Sequence, residues 1–267
     1  MNAVIGAIAG DIIGSVYEHH NIKTKEFILF SDESNYTDDT IMTVAVADWL
    51  VNTDKSESEL VETIIRYAKK YPCPMGGYGG MFKKWLEKEG KSGPYGSLGN
   101  GSAMRVSAVG CYFDLFSLTN EYAEISAKIT HNHEEGIKGA KALASIIYLI
   151  RNKYNKISIR GYVNNVPYKI EENIDRLRAK YKWDETCPGS VPQAISCFLA
   201  GNDYEDCIRN AISIGGDSDT IACMTGAMAG AYYGVPDYIM SKTLSLIPED
   251  FINIINKLML SWKRSIS

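Results

Sequence analysis

Two segments, Thr40–Leu50 and Thr220–Tyr233, are apolar almost all the way round a helical wheel. A helix without a polar face has to be covered on every side. Each is therefore expected at the centre of a core, and a chain of 267 residues is long enough to build one. The segments that would cover them carry a single apolar stripe at a period near 3.6: Glu57–Lys70, Glu121–Ile129, Gly136–Asn152, Val191–Ala200, Tyr204–Ile214 and Glu249–Lys263. Alternation of the kind a strand needs is confined to one weak candidate, Ile157–Tyr162. The sequence predicts an all-α, single compact domain of ten or more helices over residues 1–267. The glycine-rich stretches Met75–Met81 and Gly93–Gly101 are read as loops between helices, because helical pattern resumes directly after each. Ile5–Tyr17 reads as a further helix. Its Gly6, Gly10 and Gly14 fall close to one face, where they permit near contact with a neighbour. Each glycine costs about 1 kcal/mol of helix propensity, so that contact is expected to matter.

The balance of 28 basic and 32 acidic residues, a net charge of −4, argues against a general nucleic-acid surface. No apolar run reaches the roughly 18–20 residues of a membrane helix, and Asp11 breaks the apolar start, which also lacks the basic head of a signal peptide. The six cysteines form no C-x-x-C pair; they are expected to be reduced core thiols of a cytoplasmic protein.

Both central segments begin alike. Tyr36-Thr37-Asp38-Asp39-Thr40 leads into one and Gly215-Gly216-Asp217-Ser218-Asp219-Thr220 into the other. Acidic and hydroxyl residues at a helix start cap free N–H groups and meet the positive end of the dipole, but one cap needs one such residue. Four carboxylates led inward by buried helices would repel one another, and unpaired buried charge is unfavourable. Divalent cations resolve the conflict, and carboxylates with threonine hydroxyls suit Mg²⁺, Mn²⁺ or Ca²⁺ better than zinc or copper. On chemistry alone, two separate surface caps remain the alternative. Glu18 follows the first helix beside His19 and His20, either as a third acidic member or as a solvated turn. His131 and His133 form an H-x-H pair, a weak metal signal, read as surface or substrate-stacking residues. The loop Gly96-Ser97-Leu98-Gly99-Asn100-Gly101-Ser102 precedes an expected helix Ala103–Phe113 and is a candidate anion nest. It is not a Walker A loop, because Ser102 follows Gly101 where lysine is required.

Taken in order, these motifs resemble the ADP-ribosylglycohydrolase family, relatives of dinitrogenase-reductase-activating glycohydrolase. The matching pieces are Gly10-Asp11-Ile12-Ile13-Gly14 with Glu18, Thr37-Asp38-Asp39-Thr40, and Gly77-Tyr78-Gly79-Gly80-Met81-Phe82 with Trp85. Gly99-Asn100-Gly101-Ser102-Ala103-Met104-Arg105 comes next, then Gly216-Asp217-Ser218-Asp219-Thr220-Ile221 running on to Gly234. The resemblance implies an all-α fold around a binuclear site of two divalent cations, Mg²⁺ or Mn²⁺. It makes Thr37, Asp38, Asp39, Asp217, Asp219 and Thr220 ligands and Glu18 a mobile acid that serves metal or catalysis. Gly96, Ser97, Leu98, Gly99, Asn100 and Gly101 would cradle a diphosphate, and His131 would face the adenosine half. Leu98 departs from relatives with an adenine-stacking aromatic there, which leaves Tyr95 or His131 to take that part. The implied activity is metal-dependent cleavage of the bond between ADP-ribose and an arginine or serine side chain of a modified protein, releasing ADP-ribose. Glu18, Asp38 and Asp39 are the candidate proton carriers. The alternatives are a hydrolase of a small ADP-ribosyl compound and a non-catalytic ADP-ribose-binding protein. No membrane partner is expected, and the oligomeric state is open.

Overall fold

The computed structural model describes residues 2–166 and 168–266, with 262–266 described by backbone alone. Every regular element among them is helical: α1 (Asn2–Gly14), α2 (Asp38–Asn52), α3 (Glu57–Lys70), α4 (Gly80–Glu87), α5 (Gly101–Met104), α6 (Ser107–Tyr112), α7 (Phe116–Lys128), α8 (Glu134–Arg151), α9 (Lys156–Val163), α10 (Ile174–Lys180), α11 (Cys187–Ala200), α12 (Tyr204–Ser213), α13 (Ser218–Tyr233), α14 (Asp237–Leu246) and α15 (Glu249–Ile266). Among the described residues, extended pairing is limited to two isolated bridges, Thr37 with Met75 and Gly99 with Thr186. No helix among them is long and apolar enough to cross a membrane.

Helix α2 is buried from Asp39 to Leu50 and α13 from Ser218 to Gly230, as their lack of a polar face demands. Helix α1 joins them, buried from Ala3 to Gly14. The α1–α13 crossing is a backbone-to-backbone contact. A Cβ at Gly6 or Gly10 would fall on the carbonyl oxygen of Gly226 or Ala222, and one at Gly226 on that of Gly6. Only hydrogen fits at these positions, which accounts for glycines that helix propensity disfavours. The amphipathic helices wrap this centre. Helix α3 shows how: Ser56 and Glu59 form a capping box, and Leu60, Ile64, Tyr67 and Ala68 turn inward. One buried core runs from Ile8 through Trp49, Ile146, Phe198 and Met224 to Phe251.

Four expectations are corrected. Ile157–Tyr162 lies in helix α9, capped by the Asn155 side chain on the Ser158 N–H. Ile159 and Val163 are its buried positions, an i, i+4 spacing that outweighs the apparent alternation. The expected helix Ala103–Phe113 is broken after Met104, where Arg105 turns inward to the carbonyl of Ser126 and the hydroxyl of Thr130. Five cysteines are buried free thiols, but Cys73 is exposed. The first helix also stops at Gly14, with a 3₁₀ turn Ser15–Tyr17 carrying the chain to Glu18.

Candidate active site and metal centre

The N-termini of α2 and α13 meet beside the C-terminus of α1. Thr37 caps α2, its Oγ1 accepting the Asp39 N–H at 3.2 Å. The cap therefore uses neither Asp38 nor Asp39. Asp217, at the corresponding position of α13, makes no side-chain cap; its Oδ2 instead accepts from the Asn100 amide at 2.6 Å. Gly215 and Gly216, at φ 69° and 79°, make the turn that delivers it. Thr220 Oγ1 donates to Asp39 Oδ2 at 3.0 Å, tying the two helix starts together.

The carboxylates gather in two groups. Asp11, Asp39 and Asp219 each place an oxygen within 4.8 Å of the others, and so do Glu18, Asp217 and Asp219. Asp219 belongs to both. Asp38, the least covered of the site aspartates, lines the same cavity without joining either triad. Asp39 Oδ1 and Asp219 Oδ1 are buried with no hydrogen-bond partner. Burial pushes both carboxyls well above the usual range. Asp11 and Asp38 add repulsion at Asp39, and Asp217 and Asp39 do so at Asp219. Asp38 is raised to about 8, chiefly by desolvation and then by the charges of Asp11 and Asp217. Burial also raises Asp217 and Glu18, against the Asn100 bond at the first and the neighbouring His19 at the second. Orphaned oxygens among crowded carboxylates, with threonine hydroxyls beside them, are a donor set that fits hard divalent cations.

Asp11 was absent from the expected ligands. Its Oδ2 accepts the backbone N–H groups of Thr37 at 3.0 Å and Thr40 at 3.1 Å, and both threonine hydroxyls donate to its carboxylate. Burial outweighs these bonds and holds its carboxyl at about 6. A single carboxylate in an otherwise apolar helix is the signal that marks it.

A cavity of about 850 Å³ opens over the acidic floor, within the range of sites that bury a drug-sized ligand. Its walls include Glu18, Asp38, the Met75–Phe82 segment, the Gly96–Gly101 loop, His131, Trp183 and Glu185. The loop is a partial nest. Gly96 N–H is spent on Asn132, Gly99 N–H on the Ser97 hydroxyl and Asn100 N–H on the Glu185 carbonyl. The N–H groups of Ser97, Leu98, Gly101 and Ser102 have no partner among the described residues. His131 is buried beneath the loop: a Cβ at Gly101 would meet its ring at 3.2 Å, and its Nδ1 pairs with the Thr130 hydroxyl at 2.8 Å. Burial and the Arg105 charge hold His131 well below the usual imidazole range. Arg105 is a fully buried cation facing no carboxylate, its Nε unpartnered. His133, by contrast, caps α8 through the Glu135 N–H and takes no place in the cavity. Glu185 and Trp183 are further wall residues that sequence reasoning missed; nothing in their local pattern separates them from an ordinary loop.

A helical fold whose buried carboxylates floor a ligand-sized cavity fits an enzyme class that works through hard cations. The ADP-ribosylglycohydrolase family description matches residues 1–264, and the chain belongs to that family. It is a glycosidic hydrolase of the ADP-ribosyl class. Similar proteins include the ADP-ribosylhydrolase ARH3 of Mus musculus, 29% identical and aligned over 86% of this chain and 82% of that one. The Homo sapiens ARH3 is 28% identical over 86% and 84%. The ADP-ribosyl-[dinitrogen reductase] glycohydrolase of Rhodospirillum rubrum is 22% identical over 89% and 86%. A solved structure titled ADP-ribosylglycohydrolase-related protein complex shares the fold, with TM-score 0.67 at 20% identity over 98% of this chain and 96% of that one.

Proposed function

We propose that this protein reverses mono-ADP-ribosylation, hydrolysing the bond between the anomeric carbon of ADP-ribose and an arginine or serine side chain of a modified protein. The observation that carries this reading is the pair of buried, unpartnered oxygens, Asp39 Oδ1 and Asp219 Oδ1, on the floor of the cavity. They fit two divalent cations, Mg²⁺ or Mn²⁺, held by Thr37, Asp38, Asp39, Asp217, Asp219, Thr220 and Glu18, with Asp11 added to the set. Bound there, the cations would supply Lewis acidity toward the ribose hydroxyls and the attacking water.

The remaining work falls to the chain. Unspent N–H groups of the Gly96–Gly101 loop and the buried Arg105 charge complement a diphosphate. Neutral His131 and Tyr95 offer rings to the adenosine half. Carboxylates near the anomeric carbon favour the positive charge that grows there as the bond to the acceptor breaks. Water oxygen bonds to that carbon, the departing atom keeps the bonding pair, and one proton passes from water to it. Glu18 suits this transfer better than Asp39, because it stands at the wall between the acidic floor and the cavity mouth. Asp38 is the second candidate. Unpaired cysteines throughout agree with a cytoplasmic setting.

The test is release of ADP-ribose from arginine- and serine-modified peptides with Mg²⁺, Mn²⁺ or EDTA. Release abolished by EDTA, and by Asp38→Asn combined with Asp219→Asn, is expected. No release, with ADP-ribose still raising the melting temperature, would make the protein a reader rather than an eraser.

A further inference from the structure

The mouth of the cavity carries features that the phosphate loop and acidic floor do not use. Trp183 is 46% exposed there, and its ring stacks on that of His19 at 5.9 Å and 24°. His19 Nε2 lies 3.7 Å from Glu18 Oε1. The segment bearing Trp183 is not loose. Asp184 Oδ1 accepts from the backbone and hydroxyl of Thr186 at 2.9 and 2.7 Å, and the Glu185 carbonyl accepts Asn100 N–H at 2.9 Å. The backbone that carries an exposed indole and the Glu185 side chain is thus held at the cavity wall that Glu18 also lines, where a leaving group must pass.

Charge points the same way. Arg105 is the only arginine or lysine among the described residues lining the cavity, and it lies buried at the loop end. The same lining holds six carboxylates, those of Glu18, Asp38, Asp39, Glu185, Asp217 and Asp219, none of them paired with Arg105. Two dications would offset the floor, but the diphosphate of a bound ADP-ribosyl group restores the excess of negative charge. A neutral acceptor leaves that excess unmatched, whereas a guanidinium meets it at Glu185 and Glu18. Guanidinium is also planar and weakly hydrated, and it stacks on indole faces.

We infer that Trp183 and Glu185, with His19 behind the indole, form an acceptor subsite selecting a planar cation, so that arginine-linked ADP-ribose is the preferred substrate class. This rests on the proposed function of the cavity. The experiment compares kcat/KM for arginine-linked and serine-linked ADP-ribosyl peptides in wild type, Trp183→Ala, Trp183→Phe and Glu185→Gln, with ADP-ribose affinity measured by calorimetry. Wild type is expected to favour the arginine linkage. The arginine-to-serine ratio is expected to fall about 10-fold in Trp183→Ala and Glu185→Gln, with Trp183→Phe restoring most of it and ADP-ribose affinity unchanged. An equal loss on both linkages, an unchanged ratio, or a wild type that prefers serine overturns the subsite and leaves the proposed function standing. Release from neither peptide overturns both.

Discussion

Gly14→Ala tests how tightly the helix crossing and the acidic floor are joined. A Cβ at Gly14 would lie 2.5 Å from Asp219 Cα, 2.7 Å from Ser218 O and 2.8 Å from Asp219 N. Carbon atoms pack at about 3.5–4.0 Å, so the start of α13 has to retreat by roughly 1 Å. Donor positions in a cation site tolerate about 0.2 Å, and Asp219 belongs to both carboxylate groups. Global stability should suffer much less. Overpacking costs about 1–3 kcal/mol, alanine returns up to about 1 kcal/mol of helix propensity, and the net of up to about 3 kcal/mol lowers Tm by at most roughly 12 °C. The enzyme stays folded at 25 °C while cation-dependent turnover falls about 100-fold. Calorimetric titration with Mn²⁺, a thermal melt with and without the ion, and a turnover assay on one preparation separate the two effects. Wild-type Mn²⁺ affinity and rate in Gly14→Ala would refute the reasoning, because they would show that Asp219 does not sense the crossing.

Two further outcomes follow from the same site. Folding raises the Asp11 carboxyl to about 6 and that of Asp38 to about 8, so the metal-free native state binds more protons than the unfolded chain. That contribution is fully present below about pH 4 and is lost as pH rises through those values. The gap in Tm between Mg²⁺-saturated and metal-free protein should therefore widen from pH 5 to pH 8, and a constant gap would contradict it. Gly76, at φ 72°, stands so close to Glu18 that a Cβ would meet Oε2 at 2.8 Å. Gly76→Ala should lower kcat about 10-fold, whereas Gly79→Ala, whose Cβ would meet nothing within 4 Å, should leave kcat unchanged; steady-state kinetics on the pair decides it.

Central helices were legible because burial on all sides leaves no polar face in α2 and α13, and the Gly6–Gly10–Gly14 spacing announced a backbone contact without naming its partner. The paired acid–hydroxyl helix starts were legible because they exceed what capping needs. Asp11 was not read as part of the site, since its partners Thr37 and Thr40 are contributed by another helix. Trp183 and Glu185 were beyond reach for a similar reason: the bond from Asn100 to the Glu185 carbonyl joins segments far apart in sequence. Helix α9 was misread because a short apolar run fits either period until its capping residue, Asn155, is weighed.

The α1–α13 crossing also has a consequence for biosynthesis. Helix α1 is wholly apolar on the side it presents to α13, and α13 begins at Ser218. At a translation rate of about 5–20 residues per second, the partner emerges roughly 10–40 s after α1. For that interval a sticky segment is displayed on the nascent chain with nothing of its own to bind, a long-range pairing of the kind that slows folding and invites aggregation. The acidic floor, assembled from α1, α2 and α13, can exist only after most of the polypeptide has left the ribosome, so a truncated chain is not a weak enzyme but an unprotected hydrophobic helix.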